Sequence, residues 1–194
     1  GFEVSKLEEA TVKRYLPAAE LSKLKSTTAS NPQCEYARKL FLFSYYCYGI
    51  SFIDMAMLTT AHIKQMEDGD YIVYKRQKIK RQKGVKPISI KITPAIRQLI
   101  GSLQAASPTV NDFLLPIVTR SGYTGEQLYM HIRARYSKYQ KYLRQLAEEL
   151  GIKFHLTSYV SRHTAAMTLQ RNNIPREVIS QMLGHADLET TNIY

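Results

Sequence analysis

The stretch between residues 37 and 48 carries apolar side chains on all sides of a helix, and this limits how the rest of the chain can fold. Asn31 can cap such a helix, Pro32 suits its first position, and Gly49 ends it. A helix that is apolar all round must be surrounded by other elements. The sequence therefore predicts a buried central helix.

The remaining patterns predict short helices around that centre and one small sheet. Residues 71–74 are rich in strand-forming side chains, and residues 88–92 alternate with period two, so two strands are expected. A basic segment, 75–86, joins them. Caps and apolar periodicity predict further helices at 17–25, 51–58, 94–104, 124–150, 157–173, 175–184 and 187–194. The predicted fold class is α+β, mostly helical with a small antiparallel sheet.

The charge of the chain points to a polyanionic partner. There are 27 basic and 16 acidic residues, which gives a net charge of +11. Nucleic acid is the first candidate for the partner, and an anionic membrane surface is the second. No run of about 18 apolar residues exists, so no membrane span is expected.

The two cysteines and the histidines predict neither a disulfide nor a metal site. Cys34 and Cys47 would lie roughly 20 Å apart along one helix, too far for a bond between them. Two buried thiols in a reducing cytoplasm are expected. The cysteines and histidines do not have zinc-ligand spacing, so no metal is expected.

The C-terminal part of the sequence contains a constellation that can act on a phosphate. Arg162 and His163 are adjacent, His185 follows Leu183 and Gly184, and Tyr194 lies nine positions later. Each feature alone has an ordinary interpretation: a surface pair, a helix C-cap, and one of fourteen tyrosines. Only their joint order and spacing indicate chemistry.

This order closely resembles the tyrosine recombinase (phage integrase) family. The second box of that family reads His-x-x-Arg-His and is followed by Leu-Gly-His and, nine residues later, a tyrosine. Residues 41–45 and 49–56 resemble the first box of the Bacteroides-type integrases, and residues 75–78 resemble the strand end that carries the family's lysine. The resemblance extends from about residue 33 to the last residue.

The resemblance implies a catalytic role for five side chains. Arg162 would hold the non-bridging oxygens of the scissile phosphate, and His185 would donate a hydrogen bond to it. Lys78 would protonate the leaving 5′ oxygen, and Tyr194 would attack and form a 3′-phosphotyrosyl link. Tyr159 stands where the second box begins with histidine. Because the link conserves the bond energy, no ATP, cofactor or metal is expected.

The resemblance also implies contacts to DNA and one departure from the family pattern. The arginine of the first box is missing, and its place is held by Tyr48 or Ser51. By analogy with arginine fingers, such a loss costs about 10³- to 10⁵-fold in rate. The side chains expected to contact DNA are those of Lys80, Arg81, Lys83, Lys86 and His163.

These observations predict a site-specific DNA recombinase that acts on double-stranded DNA in the bacterial nucleoid, in the cytoplasm. Protomers of the same protein would assemble on DNA as a synaptic tetramer. Residues 31–194 would form the catalytic domain, and residues 1–30 a linker and the edge of a missing DNA-clamping domain. Two alternatives stay open: a catalytically weakened DNA-binding relative, and strand nicking and closing of the type IB topoisomerase kind.

Overall fold

The computed structural model describes residues 15–185. The predicted central helix is α2, and the side-chain oxygen of Asn31 accepts hydrogen bonds from the backbone N–H groups of Gln33 and Cys34 at its start. Most of its side chains are buried, and it packs against α1, α4, α5 and α6. The helices are α1 (Ala18–Ser26), α2 (Pro32–Tyr46), α3 (Phe52–Ala56), α4 (Pro94–Ala106), α5 (Gly125–Glu149), α6 (Ser158–Arg171) and α7 (Arg176–Leu183).

The sheet has three antiparallel strands, in the order β1 (Ile63–Met66), β2 (Gly69–Tyr74), β3 (Ile88–Lys91). The sequence predicted β2 and β3 but not β1. Ile63 is half-buried and the other three residues of β1 are exposed, so this edge strand lacks the apolar alternation that identifies a strand in sequence. In β3 the alternation is complete, because Ile88 and Ile90 are buried and their neighbours are exposed.

The predicted helix ends are mostly confirmed. Helix α5 follows Thr124 and has Leu150 as its C-cap, and α7 has Gly184 as its C-cap. Helix α3 is shorter than expected, since it ends at Ala56 rather than at residue 58. The expected helix at 187–194 lies outside the described residues.

The segment before α2, which the sequence marks as a linker, contributes to the main core through residues 15–30. Leu16 and Leu24 are almost fully buried. Arg38 of α2 fixes the chain here, since its guanidinium donates to the carbonyl of Leu24 at 2.7 Å and pairs with Glu35 at 2.7 Å. The domain boundary near residue 30 stays a prediction.

Both cysteines are buried and carry free thiols, as the sequence predicted. Cys34 lies in the first turn of α2, and Cys47 is the C-cap of the same helix. Burial raises the pKa of the Cys47 thiol, which favours its neutral form.

Candidate active site

Arg162 joins three separate parts of the fold. It lies on α6, and its Nη1 donates to the carbonyl of Gly49 at 3.0 Å. Its Nη2 donates to the carbonyl of Leu183, at the end of α7, at 2.5 Å. The guanidinium is therefore fixed in place by backbone groups 113 and 21 residues away in sequence.

Gly49 is required for this arrangement. It lies directly against Arg162, and a Cβ on Gly49 would come within 2.5 Å of the Arg162 Cα and 2.6 Å of its Cγ. Its φ of +75° is also in the left-handed region that favours glycine. Beneath this contact the hydroxyls of Ser44 on α2 and Ser161 on α6 lie 2.8 Å apart and link the two helices.

Arg162 faces a cleft of 690 Å³ that also contains two other predicted site residues, Lys78 and Tyr159. Tyr159 is 67% exposed and lies three residues before Arg162 on the same helix. Lys78 comes from the segment that joins β2 to β3. Three side chains from distant parts of the sequence thus share one cavity.

The described residues that line this cleft are strongly cationic. They include four arginine or lysine side chains and one carboxylate, that of Asp54. Positive charge held in a concave site strengthens the binding of an anion. Four further side chains that the sequence did not single out also line the cleft, namely Arg76, Tyr129, Arg133 and Tyr136.

Sequence reasoning missed these residues for different reasons. Arg76 belongs to residues 75–78, which resemble the strand end that carries the family's lysine, and this resemblance could have identified it. Arg133 lies on the exposed face of α5 opposite its apolar stripe, where basic side chains are usually solvated. Its part in the cleft depends on how α5 packs beside α3, which the sequence does not show.

Asp54 holds the segment that carries Lys78. It is 3% exposed, and its Oδ1 accepts from the backbone N–H of Gln77 at 2.7 Å. Its Oδ2 accepts from the hydroxyl of Ser51 at 2.6 Å. Since the two bonds join the start of α3 to the residues after β2, Asp54 fixes one wall of the cleft against another.

We expect Asp54→Ala to lower the free energy of unfolding by about 2–4 kcal/mol, because two hydrogen bonds to a buried carboxylate are lost. Urea denaturation measures this change. The matched control is Asp70→Ala, which removes the exposed ion pair with Arg97 and should cost less than about 1 kcal/mol. Equal losses in the two variants would show that Asp54 does not have this role.

Five of the other predicted residues line two further depressions. His185 lines an adjoining depression of 410 Å³ with Lys83 and Lys86, and Arg76 lines both cavities. Lys80 and Arg81 line a third depression, of 560 Å³, on the same segment.

The two remaining predicted residues are His163 and Tyr194. His163 follows Arg162 on α6 and is half-buried. Tyr194 lies outside the described residues.

The structure distinguishes the two positions at which the first-box arginine was expected. Ser51 lines the cleft. Tyr48 instead packs against the apolar cluster formed by α6 and α7, which includes Ala166 and Leu183. Ser51 is therefore the position from which a side chain would reach the cleft directly.

A cationic cleft with phenols at its rim is suited to phosphoryl transfer, in which positioning and charge supply most of the catalysis. The chain belongs to the phage integrase family, whose sequence profile matches residues 14–194. The family expected from the C-terminal motifs is thereby confirmed.

Individual members of the family resemble parts of this chain. The tyrosine recombinase XerD of Halalkalibacterium halodurans is 43% identical over 54 residues, which are 28% of this chain and 18% of the relative. The XerD of Brucella abortus is 31% identical over 111 residues, which are 56% of this chain and 32% of the relative. The chain thus matches only a minor part of the length of these relatives.

Solved structures show the same fold. The XerA recombinase superposes with a TM-score of 0.63 at 23% identity, over 93% of this chain and 59% of that one. The XerH recombinase bound to its difH substrate superposes with a TM-score of 0.64 at 19% identity, over 93% of this chain and 50% of that one. These similarities confirm the predicted α+β fold.

Within residues 15–185 no helix is long and apolar enough to cross a bilayer. No cluster of three or more histidine, cysteine, aspartate or glutamate side chains suited to a metal ion occurs there either.

Proposed function

We propose that this chain is the catalytic part of a site-specific DNA recombinase of the tyrosine class, of the Bacteroides type. The observation that carries the proposal is the single cleft shared by Lys78, Tyr159 and Arg162, in which Arg162 is held by two backbone carbonyls. The family match and the net charge of +11 support DNA as the substrate.

In the proposed reaction the phenol oxygen of Tyr194 attacks the scissile phosphorus and forms a 3′-phosphotyrosyl bond. Arg162 and His185 donate hydrogen bonds to the non-bridging oxygens, where charge accumulates in the transition state. The bond to the 5′ oxygen breaks, and Lys78 supplies the proton for that leaving group. A 5′ hydroxyl from a second strand then reverses the step, so no external energy source is consumed.

The basic side chains around the cleft would hold the DNA backbone. Lys83 and Lys86 lie beside His185, and Lys80 and Arg81 lie on the neighbouring face of the same segment. Phosphate contacts of this kind position a duplex without reading its sequence. His163 would support Arg162 from the next position on α6.

The larger assembly is part of the proposal. Residues 31–194 would act as the catalytic domain behind a DNA-clamping domain whose edge is residues 1–30. Four protomers would form the synaptic complex on DNA of the bacterial nucleoid. The alternative of a weakened DNA-binding relative is favoured by one observation, that Ser51 occupies the cleft position where an arginine is expected.

The test uses the full-length protein that contains this chain and a library of nicked duplexes of random sequence. Nicking lets the cleaved fragment diffuse away, so a covalent adduct accumulates and can be recovered under denaturing conditions. We expect the recovered strands to share one sequence, and the DNA-bearing peptide to contain Tyr194.

Different outcomes of this experiment identify the alternatives. Binding without any adduct would identify a non-catalytic DNA-binding protein. Adducts without a common sequence, together with relaxation of supercoiled plasmid, would identify a type IB topoisomerase-like activity. Exchange of strands between two copies of the recovered site would establish a recombinase.

A further inference from the structure

Arg76 lies where the two cavities of the site meet. It follows the end of β2, is half-buried, and lines both the cleft that contains Arg162 and the depression that contains His185. A single side chain therefore lines both the cavity of the predicted Arg162 and that of the predicted His185.

The guanidiniums of Arg76 and Arg162 hold consecutive carbonyls of the backbone. Nη1 of Arg76 donates to the carbonyl of Gly184 at 2.9 Å, and Nη2 of Arg162 donates to that of Leu183. Because these carbonyl groups are neighbours, both guanidiniums lie beside the same backbone turn, at the end of α7. A guanidinium has five N–H donors in a rigid fork, and the bond to Gly184 uses one of them.

Each of the two arginines lies against a glycine. A Cβ on Gly184 would come within 2.8 Å of the Arg76 Cδ, just as a Cβ on Gly49 would collide with Arg162. Gly184 also has a positive φ, of 64°. The chain thus leaves room for both side chains at the points where they pass over the backbone.

A hydrogen bond to the buried Asp54 fixes the backbone next to Arg76. The bond from the Gln77 N–H to Asp54 holds the next residue. Tyr74, the last residue of β2 and two positions before Arg76, is buried with both guanidiniums nearby. Burial and then Asp54 raise the pKa of the Tyr74 phenol, while Arg162 and Arg76 act in the opposite direction.

We propose that Arg76 supplies the second guanidinium that holds the scissile phosphate, in place of the arginine missing from the first box. This inference rests on the proposed recombinase function. Arg133 is the other arginine that enters the cleft, but it is exposed and reaches it from α5. Arg76 is favoured because it is the one bonded beside the carbonyl that Arg162 holds.

The role of Arg76 is to neutralise charge on a non-bridging oxygen as the phosphorus becomes five-coordinate. Removal of one such donor typically costs 10²- to 10³-fold in rate. We expect Arg76→Gln to slow adduct formation by about that factor, measured in single turnover with full-length protein on a nicked duplex of the recovered site. Affinity for the uncleaved duplex should change less than about fivefold, since many other phosphate contacts remain.

A neutral substrate separates this role from a structural one. In a methylphosphonate duplex, one non-bridging oxygen of the scissile phosphate is replaced by a methyl group, so the charge to be neutralised is absent. We expect the defect of Arg76→Gln to shrink to less than about tenfold on this substrate. A defect of equal size on both substrates would overturn the proposal, because loss of the bond to Gly184 would then explain it.

Further variants test whether Arg133 or a general loss of positive charge explains the rate defect instead. Arg97→Gln, which removes an exposed ion pair on α4, should leave the rate on both substrates unchanged. Rescue by methylphosphonate in Arg133→Gln but not in Arg76→Gln would assign the role to Arg133 and overturn the proposal. An adduct rate unaffected by Arg76→Gln would overturn it while leaving the recombinase function intact. Failure of the unsubstituted protein to cleave would overturn both.

Restoration of an arginine in the cleft gives an independent test. Ser51 lines the cleft and Tyr48 does not contribute to its described lining. We therefore expect the double variant Ser51→Arg with Arg76→Gln to form the adduct at least tenfold faster than Arg76→Gln alone. Tyr48→Arg in the same background should raise the rate less than twofold. Recovery by Tyr48→Arg alone would overturn the assignment of Arg76, because the missing group would then be placed elsewhere.

Discussion

Tyr194→Phe should abolish the covalent protein–DNA adduct while leaving DNA affinity and the free energy of unfolding unchanged. The substitution removes one oxygen atom, and that oxygen is the proposed nucleophile. Because the proposed nucleophile is removed, the loss should reach the detection limit of the assay. Denaturing electrophoresis of the protein with a labelled nicked duplex measures it.

Tyr159 provides the matched control for this experiment. Its phenol is 67% exposed and lines the same cleft as Arg162, so it is the most exposed of the three described phenols there that could act as a rival nucleophile. We expect Tyr159→Phe to slow adduct formation by less than about tenfold, which corresponds to one hydrogen bond. An adduct that persists in Tyr194→Phe and disappears in Tyr159→Phe would reverse the assignment.

Arg162→Gln should reduce both activity and stability. The guanidinium is the proposed principal contact to the phosphate, and by analogy with arginine fingers its loss should cost about 10³- to 10⁵-fold in the rate of cleavage. It also leaves the carbonyls of Gly49 and Leu183 without the donors they have in the structure. At about 1–2 kcal/mol for each carbonyl, the free energy of unfolding should fall by about 2–4 kcal/mol.

The two effects of Arg162→Gln can be measured separately. Urea denaturation gives the stability, and single-turnover cleavage on phosphate and methylphosphonate duplexes gives the part of the rate that depends on charge. Arg171→Gln on the same helix is the control, since Arg171 is exposed and lies over the ring of Tyr15 at 5.2 Å. If both arginine variants lose stability and rate to the same extent, Arg162 has no special position in the site.

The bonds to Gly49, Leu183 and Gly184 connect the architecture with the proposed chemistry. Arg162 and Arg76 hold the last turn of α7, and the chain runs from there towards Tyr194. The groups that would bind the phosphate therefore also hold the residues that precede, in sequence, the proposed nucleophile. Substitution of either arginine should therefore affect both phosphate binding and the position of the chain after α7. The methylphosphonate duplex is needed to separate these two effects.

Much of the fold could be predicted because its signals are local. Asn31 and Pro32 at the start of α2, and Gly184 at the end of α7, define helix boundaries through bonds to residues at most four positions away. The edge strand β1 could not be predicted, because only Ile63 among its residues is partly buried and the others face solvent. Its pairing with β2 is local, across the turn at residues 67 and 68, but it depends on the side chains of β2 and is not encoded by those of β1 alone.

The candidate site could be predicted only in part. Arg162, Tyr159 and Lys78 were identified by motif, and the structure places them in one cleft. Arg76 and Arg133 were not identified, because their sequence neighbourhoods are basic throughout and basic runs are usually solvated surface. Partial burial and a bond to a distant carbonyl distinguish Arg76 from its neighbours, and both arise only once α7 packs against the sheet at β3.

The amino-acid order by itself determined the seven described helices, the strands β2 and β3, the family and the types of side chain available for chemistry, since periodicity, caps and motifs act over a few residues. The tertiary structure decided which cations meet, and that Ser51 rather than Tyr48 lines the cleft. The physical reason is that a buried carboxylate, Asp54, joins the start of α3 to the segment after β2. That hydrogen bond between residues 23 positions apart holds the backbone between Arg76 and Lys78, and no local pattern specifies it.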